Sequence, residues 1–508
     1  MVRKIVVVGG GSAGFMAALA LKVKSPDLRV VVVRSREIGI IGVGEGSTVP
    51  LTTFLHGYLN ADPRTLLRLA RPTLKMGVKF IRWGPRPHYF YPFSAQLDFT
   101  PDTLRRSVGF YCYDDLEDAT FEMALIARDK MFLRGKNGQA QFHSKYAYHV
   151  ENENFVAYLE AFARNAGVEI VEDTINDVAC DEAGVKELRL ASGRSESADL
   201  YVDCSGFKSL LLGGALGEPF VSYSSSLFCD RAVVGGWERT DEPIHPYTTA
   251  EAMTSGWCWQ IEHVNRINRG YVYSSQFASD DEARQEFLAK NPKVTGPTRV
   301  VRFVSGRYRR GWVKNVVAVG NASGFVEPLE ATALGVIAAR SQLLSQMLIE
   351  SDRRIEPFQV EMYNQSHARL WDSIRDFLAC HYRFNVGPVS PFWRHCQNDV
   401  DIGNAKAMVD YFQEFGPAGM WGPLLTDPLD GFGTKGYLMI LVGQKVPFKM
   451  HHAVSDVERT AWAAIRRQHV EAARGAMTVL ESLQAMGATG LRVQPRSPVT
   501  VVHAAAGV

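Results

Sequence analysis

The chain has 508 residues, 46% hydrophobic and 22% charged, the balance of a folded globular protein rather than a disordered or fibrous one. Its 56 Lys and Arg nearly match its 54 Asp and Glu, and the net charge of +2 argues against nucleic acid as the main partner, which calls for a strongly basic face. No apolar run approaches the ~18–20 residues that cross a bilayer, so no membrane association is expected. The seven cysteines are odd in number, with no CxxC pair and no His-rich cluster, and predict neither a disulfide framework nor a metal site. Met1 to Lys4 run into Ile5–Val8 and then glycines without a small-residue cleavage site, so no signal peptide and a cytoplasmic location are expected.

At ~150 residues per domain the length allows about three domain-equivalents, or one large α/β unit with insertions. Residues 4–8 read as a short buried strand, Gly9 to Gly14 as a turn, and Phe15–Leu21 as helix. Arg29–Val33 is a second strand, completing a βαβ unit. Residues 65–150 are rich in aromatics and arginines with weak periodicity, and Asn154–Ala166 predicts an amphipathic helix. Residues 168–204 alternate as strands and end on Leu200-Tyr-Val-Asp-Cys-Ser-Gly206; residues 225–305 read as β-structure. Asn315–Gly320 is a further buried strand, Leu334–Ile349 a helix, and helical patterns dominate after 351. The expected organisation is an α/β module over 1–350 with inserted β-rich segments at about 65–150 and 225–305, a helical part over 351–496, and a flexible tail over 497–508. No internal repeat or low-complexity segment is present.

Gly9, Gly11 and Gly14 form GxGxxG between a strand and a helix. The first glycine permits the tight turn, the second lets backbone approach a pyrophosphate, and the third lets helix pack on strand. Ser12 and Ala13 then open the helix whose N-terminus faces the anion. Asp203-Cys-Ser-Gly206 and Gly320-Asn321 close two later strands. Flavoprotein hydroxylases place such strand ends against flavin, ribose and pyrophosphate, so the dinucleotide is expected to be FAD rather than NAD. Each taken singly reads equally well as an ordinary strand-end turn. The acidic residue that usually ends the second strand is replaced by Arg34-Ser35-Arg36. Ser35 or Glu37 can take its place, and Arg34 leaves a 2′-phosphate open.

These features continue into an ordered set of motifs. They are Gly9–Met16, Gly42-Val-Gly44-Glu45-Gly-Ser-Thr-Val-Pro50, Leu74-Lys75-Met-Gly-Val-Lys79-Phe-Ile-Arg-Trp83, Gly256-Trp257-Cys-Trp259-Gln-Ile261, and Asn321 to Thr332 through Glu327-Pro-Leu-Glu330. Arg375-Asp-Phe, His381-Tyr and Pro391-Phe-Trp393 follow. In them the chain resembles the flavin-dependent halogenases, tryptophan/indole branch, over roughly residues 1–450. The resemblance implies a Rossmann-like FAD-binding module of the flavin monooxygenase type, with Gly44 and Glu45 among its cofactor residues and a mostly helical C-terminal part covering the substrate. It implies that reduced FAD, O₂ and halide give hypohalous acid by way of a flavin C4a-hydroperoxide, with reduced flavin supplied by a separate NAD(P)H-flavin reductase. The acid then reaches an aromatic site through a tunnel. The family lysine falls on Lys75, with Lys79 as rival on the same helical face, and the family glutamate on Glu330, with Glu327 as rival.

An ammonium can hydrogen-bond the oxygen of hypohalous acid, and after proton loss can carry the halogen; a carboxylate can polarise the transfer or take the ring proton. Pairing across a dry pocket is expected to lower the glutamate pKa. The halide amides fall on Thr332 and Ala333. There Ala331-Thr332-Ala333 replaces the family's Ser-Thr-Gly, a less polar site from which bromide is expected over chloride. Trp257, Trp259 and Ile261 make the family's Trp-x-Trp-x-Ile piece, alternate residues of a strand. Glu262 replaces the proline that follows it in the family, which keeps a flavin-dependent aromatic hydroxylase as an alternative; a non-catalytic flavin-binding protein is a second. His88 and Phe90 match a substrate-flanking pair, and Phe392, Trp393 and Tyr437 are candidate walls. The polar clamp for a free amino acid looks absent around Tyr437-Leu438. A small aromatic substrate is therefore expected, a neutral indole or an indole within a larger molecule; whether the chain forms a homodimer stays open.

Overall fold

The computed structural model describes residues 1–39, 44–93, 104, 109–112, 116–143, 145–417, 425, 427 and 430–488. Gly42 and Val43 of the second motif and the 497–508 tail lie outside the described residues. The β-branched run at the N-terminus forms strand Lys4–Val8, buried after its first residue because both faces of its sheet are covered. It pairs in parallel with Arg29–Arg34 on one side and Leu200–Asp203 on the other. Glu169–Glu172 lies beyond the former, and Val316–Ala318 and Trp312–Val313 beyond the latter. The chain thus reverses its direction of growth across the sheet at Lys4–Val8, the switch point where open α/β sheets hold ligands.

Helix Ser12–Lys24 is buried without a break from Gly14 to Leu21, since Asn152–Asn165 and Ala333–Glu350 both pack on it. A helix apolar all round must be enclosed on all sides, and this one is. The helices expected at 154–166 and 334–349 are present with boundaries shifted by one or two residues.

A second, seven-stranded sheet runs in the order Arg299–Arg302, Arg231–Glu238, Arg266–Tyr273, Gly256–Glu262, Tyr247–Met253, Gly77–Ile81, His88–Pro92. The β-structure expected at 225–305 is here, interrupted by helix Asp280–Lys290 behind a Ser279/Glu282 capping box. The weakly periodic 65–150 segment supplies its last two strands. Lys75 and Lys79 therefore do not share a helical face. Lys75 ends strand Thr73–Lys75, and Lys79 lies in Gly77–Ile81, where Val78 and Phe80 alternate inward at period two. Thr73–Lys75 pairs with Ala147–Val150, which also pairs with Glu45–Gly46.

Among the described residues after 351 helices dominate, led by the 27-residue helix Pro357–Arg383. These helices cover the second sheet and enclose an aromatic core that includes Trp83, Trp257, Tyr382, Phe392 and Trp393. Among the described residues no helix is long and apolar enough to cross a membrane.

Candidate active site

The ends of strands Lys4–Val8, Leu200–Asp203 and Val316–Ala318 lie side by side, and Gly9, Gly206 and Gly320 leave them with positive φ. A Cβ on Gly14 would stand 1.8 Å from the Gly9 carbonyl oxygen, and one on Gly9 2.3 Å from that of Cys204. A Cβ on Gly11 or Gly206 would meet nothing within 4 Å. Two glycines thus close the turn, and two leave open space before the first amides of helix Ser12–Lys24. That cradle fits a dinucleotide pyrophosphate, with Gly11, Ser12 and Ala13 as the residues that would hold it. Gly320 closes the far wall, where a Cβ would come 2.9 Å from Ala13 Cβ, and Asn321 follows it.

Three residues considered for the cofactor carry bonds of their own. Both oxygens of Asp203 are spent inside its own turn, accepting from Ser205 N and Oγ and from the amides of Leu211 and Leu212. Ser35 Oγ accepts from Thr174. Arg34 is ion-paired with Glu160 at 2.8 Å and Glu172 at 3.1 Å, so it is committed to carboxylates and the 2′-phosphate reading lapses. Gly44 has φ of 72° and lies against His263 and Asn268, and Glu45 accepts from Asn152.

Lys75 and Glu330 are both fully interior, at 0% and 1% exposure. Burial pushes the Lys75 amine down to about 7, opposed by the charge of Glu330. Burial also raises Glu330 above the usual carboxylate range, against the hydrogen bond from His381 and the charges of His381 and Lys75. The expected lowering of the glutamate therefore does not occur, because loss of water outweighs the pairing. Glu330 Oε1 meets His381 Nε2 at 2.9 Å, while its Oε2 and the Lys75 amine have no hydrogen-bond partner among the described residues. The amine stands 4.7 Å from the Phe93 ring centre, a cation–π distance. A Cβ on Gly46 would come 3.1 Å from Lys75 Nζ and 3.2 Å from Ala331 Cβ, so the segment after Glu330 closes on the lysine there. Ala331 takes the left-handed conformation at φ 54°, and Thr332 precedes helix Ala333–Glu350, whose first amides lack intrahelical acceptors.

Glu327 points elsewhere. It accepts from the Trp257 indole at 3.3 Å and from the Tyr382 hydroxyl, and burial carries it up to about 7. Trp257 and Trp259 lie on strand Gly256–Glu262, and Trp259 lies over Gly270, where any Cβ would strike its ring. Ile261 is buried in the same core. Glu262 is 1% exposed, ion-paired with Arg239 and bonded by Gln260 at 2.7 Å. It is a structural pair and no longer favours a hydroxylase.

The substrate candidates differ in their exposure. His88 is exposed, and Phe90 packs edge-on against His88 and Tyr247, with Lys79 over its ring. Strand alternation sends their neighbours Tyr89 and Tyr91 inward instead, and the charge of Glu330 reaches both. Phe392 and Trp393 are fully buried core residues, with Trp393 donating to the Met253 carbonyl at 2.7 Å. Trp83 stands between Trp393 and His381, so Trp393 backs the site from one ring away. Tyr437 is buried, edge-on against Phe377, and bonded to Asp430. Sequence reasoning missed Tyr89 and Tyr91 and gave His381 no role; the inward period of strand His88–Pro92 was the available signal for the tyrosines.

A family model described as "Tryptophan halogenase" matches residues 4–459. The chain is 34% identical over 420 residues to tryptophan 6-halogenase ThaL of Streptomyces albogriseolus, covering 77% of this chain and 78% of that one. The solved structure of MibH, a lathipeptide tryptophan 5-halogenase, superposes with a TM-score of 0.86 at 38% identity, over 95% of this chain and 93% of that one. BrvH, a flavin-dependent halogenase from Brevundimonas sp. BAL3, gives 0.82 at 27% identity, over 96% and 99%.

Proposed function

Given that this chain belongs to the tryptophan halogenase family and is a flavin-dependent enzyme that halogenates an aromatic ring, we propose that its substrate is a neutral indole or an indole carried in a larger molecule, directed by Lys75 and Glu330. The carrying observation is the buried pair itself: an amine and a carboxyl group shut away from solvent, from segments far apart in sequence, the amine and one carboxyl oxygen having no hydrogen-bond partner among the described residues. Reduced FAD, renewed by a separate flavin reductase, supplies the O₂ chemistry that oxidises halide to hypohalous acid. The Lys75 ammonium donates a hydrogen bond to the oxygen of that acid and makes its halogen the better electrophile. Glu330, held by His381, accepts the ring proton as aromaticity returns; a carboxyl raised by burial is a better base for that step than an exposed one. Tyr437 is engaged with Asp430 and buried, so it is not available to clamp an amino-acid backbone, and the free charges of tryptophan would cost several kcal/mol unpaired. The likeness to MibH, named for a lathipeptide, supports an indole within a larger molecule. The Ala331-Thr332-Ala333 run lines the halide turn with methyl groups, which favours bromide over the more strongly hydrated chloride.

The test is mass spectrometry of a reaction containing indole, FAD, flavin reductase, NADH and equal chloride and bromide. A bromine isotope pattern is expected, lost in Lys75→Ala while FAD binding and hydrogen peroxide release persist. Halogenation by Lys75→Ala would overturn the role of the lysine, chloride product in equal yield the halide preference, and faster turnover of free tryptophan the substrate reading.

A further inference from the structure

Lys75, Thr73, His149 and Gly46 share one face of the small three-stranded sheet. Thr73 and Lys75 are two residues apart on one strand, and His149 lies opposite Thr73 on one side and Gly46 on the other. Thr248 reaches this face from the neighbouring sheet, where it is paired with Val78. All of the polar side chains here are buried.

The direction of each hydrogen bond follows from a fixed end. The Glu262 carbonyl can only accept, so the Thr73 hydroxyl donates to it, at 2.5 Å. Thr73 has then spent its one proton, and the 3.3 Å contact with His149 Nδ1 must run from Nδ1–H to Thr73 Oγ1. A neutral imidazole protonated at Nδ1 accepts at Nε2, so the Thr248 hydroxyl donates to Nε2, at 2.8 Å. The ring is held neutral: burial and the charges of Lys75, His263 and Arg239 keep its pKa well below the ordinary value. Thr248 Oγ1 is thereby left with only lone pairs to offer. That oxygen stands 3.3 Å from the Cβ position of Gly46, and Lys75 Nζ 3.1 Å from the same point. The two atoms flank that one point without touching, a separation that one bridging water can span.

We propose that Thr248 is a positioning residue for Lys75: the Glu262 carbonyl, through Thr73 and His149, orients the Thr248 hydroxyl so that it accepts from the Lys75 ammonium and never donates to the amine. The proposal rests on the directing role of Lys75 given above. An acceptor stabilises the charged form, so Thr248 adds to Glu330 in holding the lysine protonated against its burial. The other groups facing this region are accounted for. Glu330 and its partner His381 lie on the turn and the helix, and Tyr89 and Tyr91 on strand His88–Pro92 face Glu330. His263 and Arg239 face His149, and Arg239 is neutralised by Glu262.

The test is the pH profile of indole bromination with flavin reductase in excess. Activity is expected to fall on the alkaline side with a midpoint near the Lys75 value of about 7. Thr248→Val keeps the shape and removes the acceptor, and is expected to move that midpoint down by about one pH unit. Thr73→Val, which does not touch the lysine, frees the imidazole to turn over its tautomer and is expected to move it the same way. Thr248→Ser is expected to hold the wild-type midpoint. Thermal melting checks that each variant is folded, and Thr73→Val carries the test if Thr248→Val is not. An unmoved midpoint in folded Thr248→Val, or an equal shift in Thr248→Ser, would overturn the proposal. Bromination by Lys75→Ala, run alongside, would instead overturn the premise about the lysine, a result distinct from a stationary midpoint.

Discussion

A lysine whose pKa falls from 10.5 to about 7 inside the protein carries a stability cost that its function has to outweigh. The unfolded chain binds that proton more tightly, so between about 7 and 10.5 the unfolded state holds more protons than the native one, and this residue's contribution to stability rises with pH across that window. The cost is fully present below it. Lys75→Met, which fills the space without the charge, is expected to stabilise the protein by about 1–3 kcal/mol at pH 6–7 and by less toward pH 10, while abolishing halogenation. Calorimetric melting across that pH range checks it; a destabilised Lys75→Met would mean that the lysine is tied into the fold more strongly than its burial indicates. Lys75 stood out in its motif, but its depressed pKa did not, because desolvation depends on every residue stacked around the amine.

Among the elements, the glycine turn is where local sequence and final geometry agree most closely. Gly14 and Gly11 have the same side chain and opposite surroundings, one against a carbonyl oxygen at 1.8 Å and one in open space. Gly14→Ala is expected to force helix from strand and to lower stability by about 3 kcal/mol, with FAD binding lost as a consequence. Gly11→Ala is expected to leave the melting temperature of the FAD-free protein nearly unchanged and to weaken FAD binding by at least tenfold, since its methyl group enters the cradle. Flavin titration beside melting curves separates the two, and equal effects on both quantities in both variants would contradict the assignment. This turn could be read from spacing because its interactions span few residues. The strands bearing Lys75 and Lys79 could not: their pairing partners lie at Ala147–Val150 and Tyr247–Met253, and nothing local announces a partner so distant.

In the whole molecule, the site exists only where the small three-stranded sheet, the turn before helix Ala333–Glu350 and the C-terminal helices meet. Lys75 comes from the small sheet, Glu330 from the turn before helix Ala333–Glu350, and His381 from helix Pro357–Arg383. His381 is the hydrogen-bond partner described for Glu330 and packs among Phe80, Trp83 and Phe377. His381→Phe keeps the ring packing and leaves a buried carboxyl without its partner. It is expected to cost about 1–3 kcal/mol and to reduce halogenation, read from urea unfolding and indole turnover; unchanged values of both would show that His381 merely fills space. By itself the sequence determined the glycine turn and the family, because each rests on short spacing or on ordered motifs along one chain. Only the tertiary structure decided which groups face one another. It turned Tyr89 and Tyr91 inward in place of His88 and Phe90, placed Phe392, Trp393 and Tyr437 in the core, and bound Glu262 to Arg239. It also set His149 and Thr248 beside Lys75. Those outcomes follow from strand pairing and burial across hundreds of residues, which no local pattern encodes.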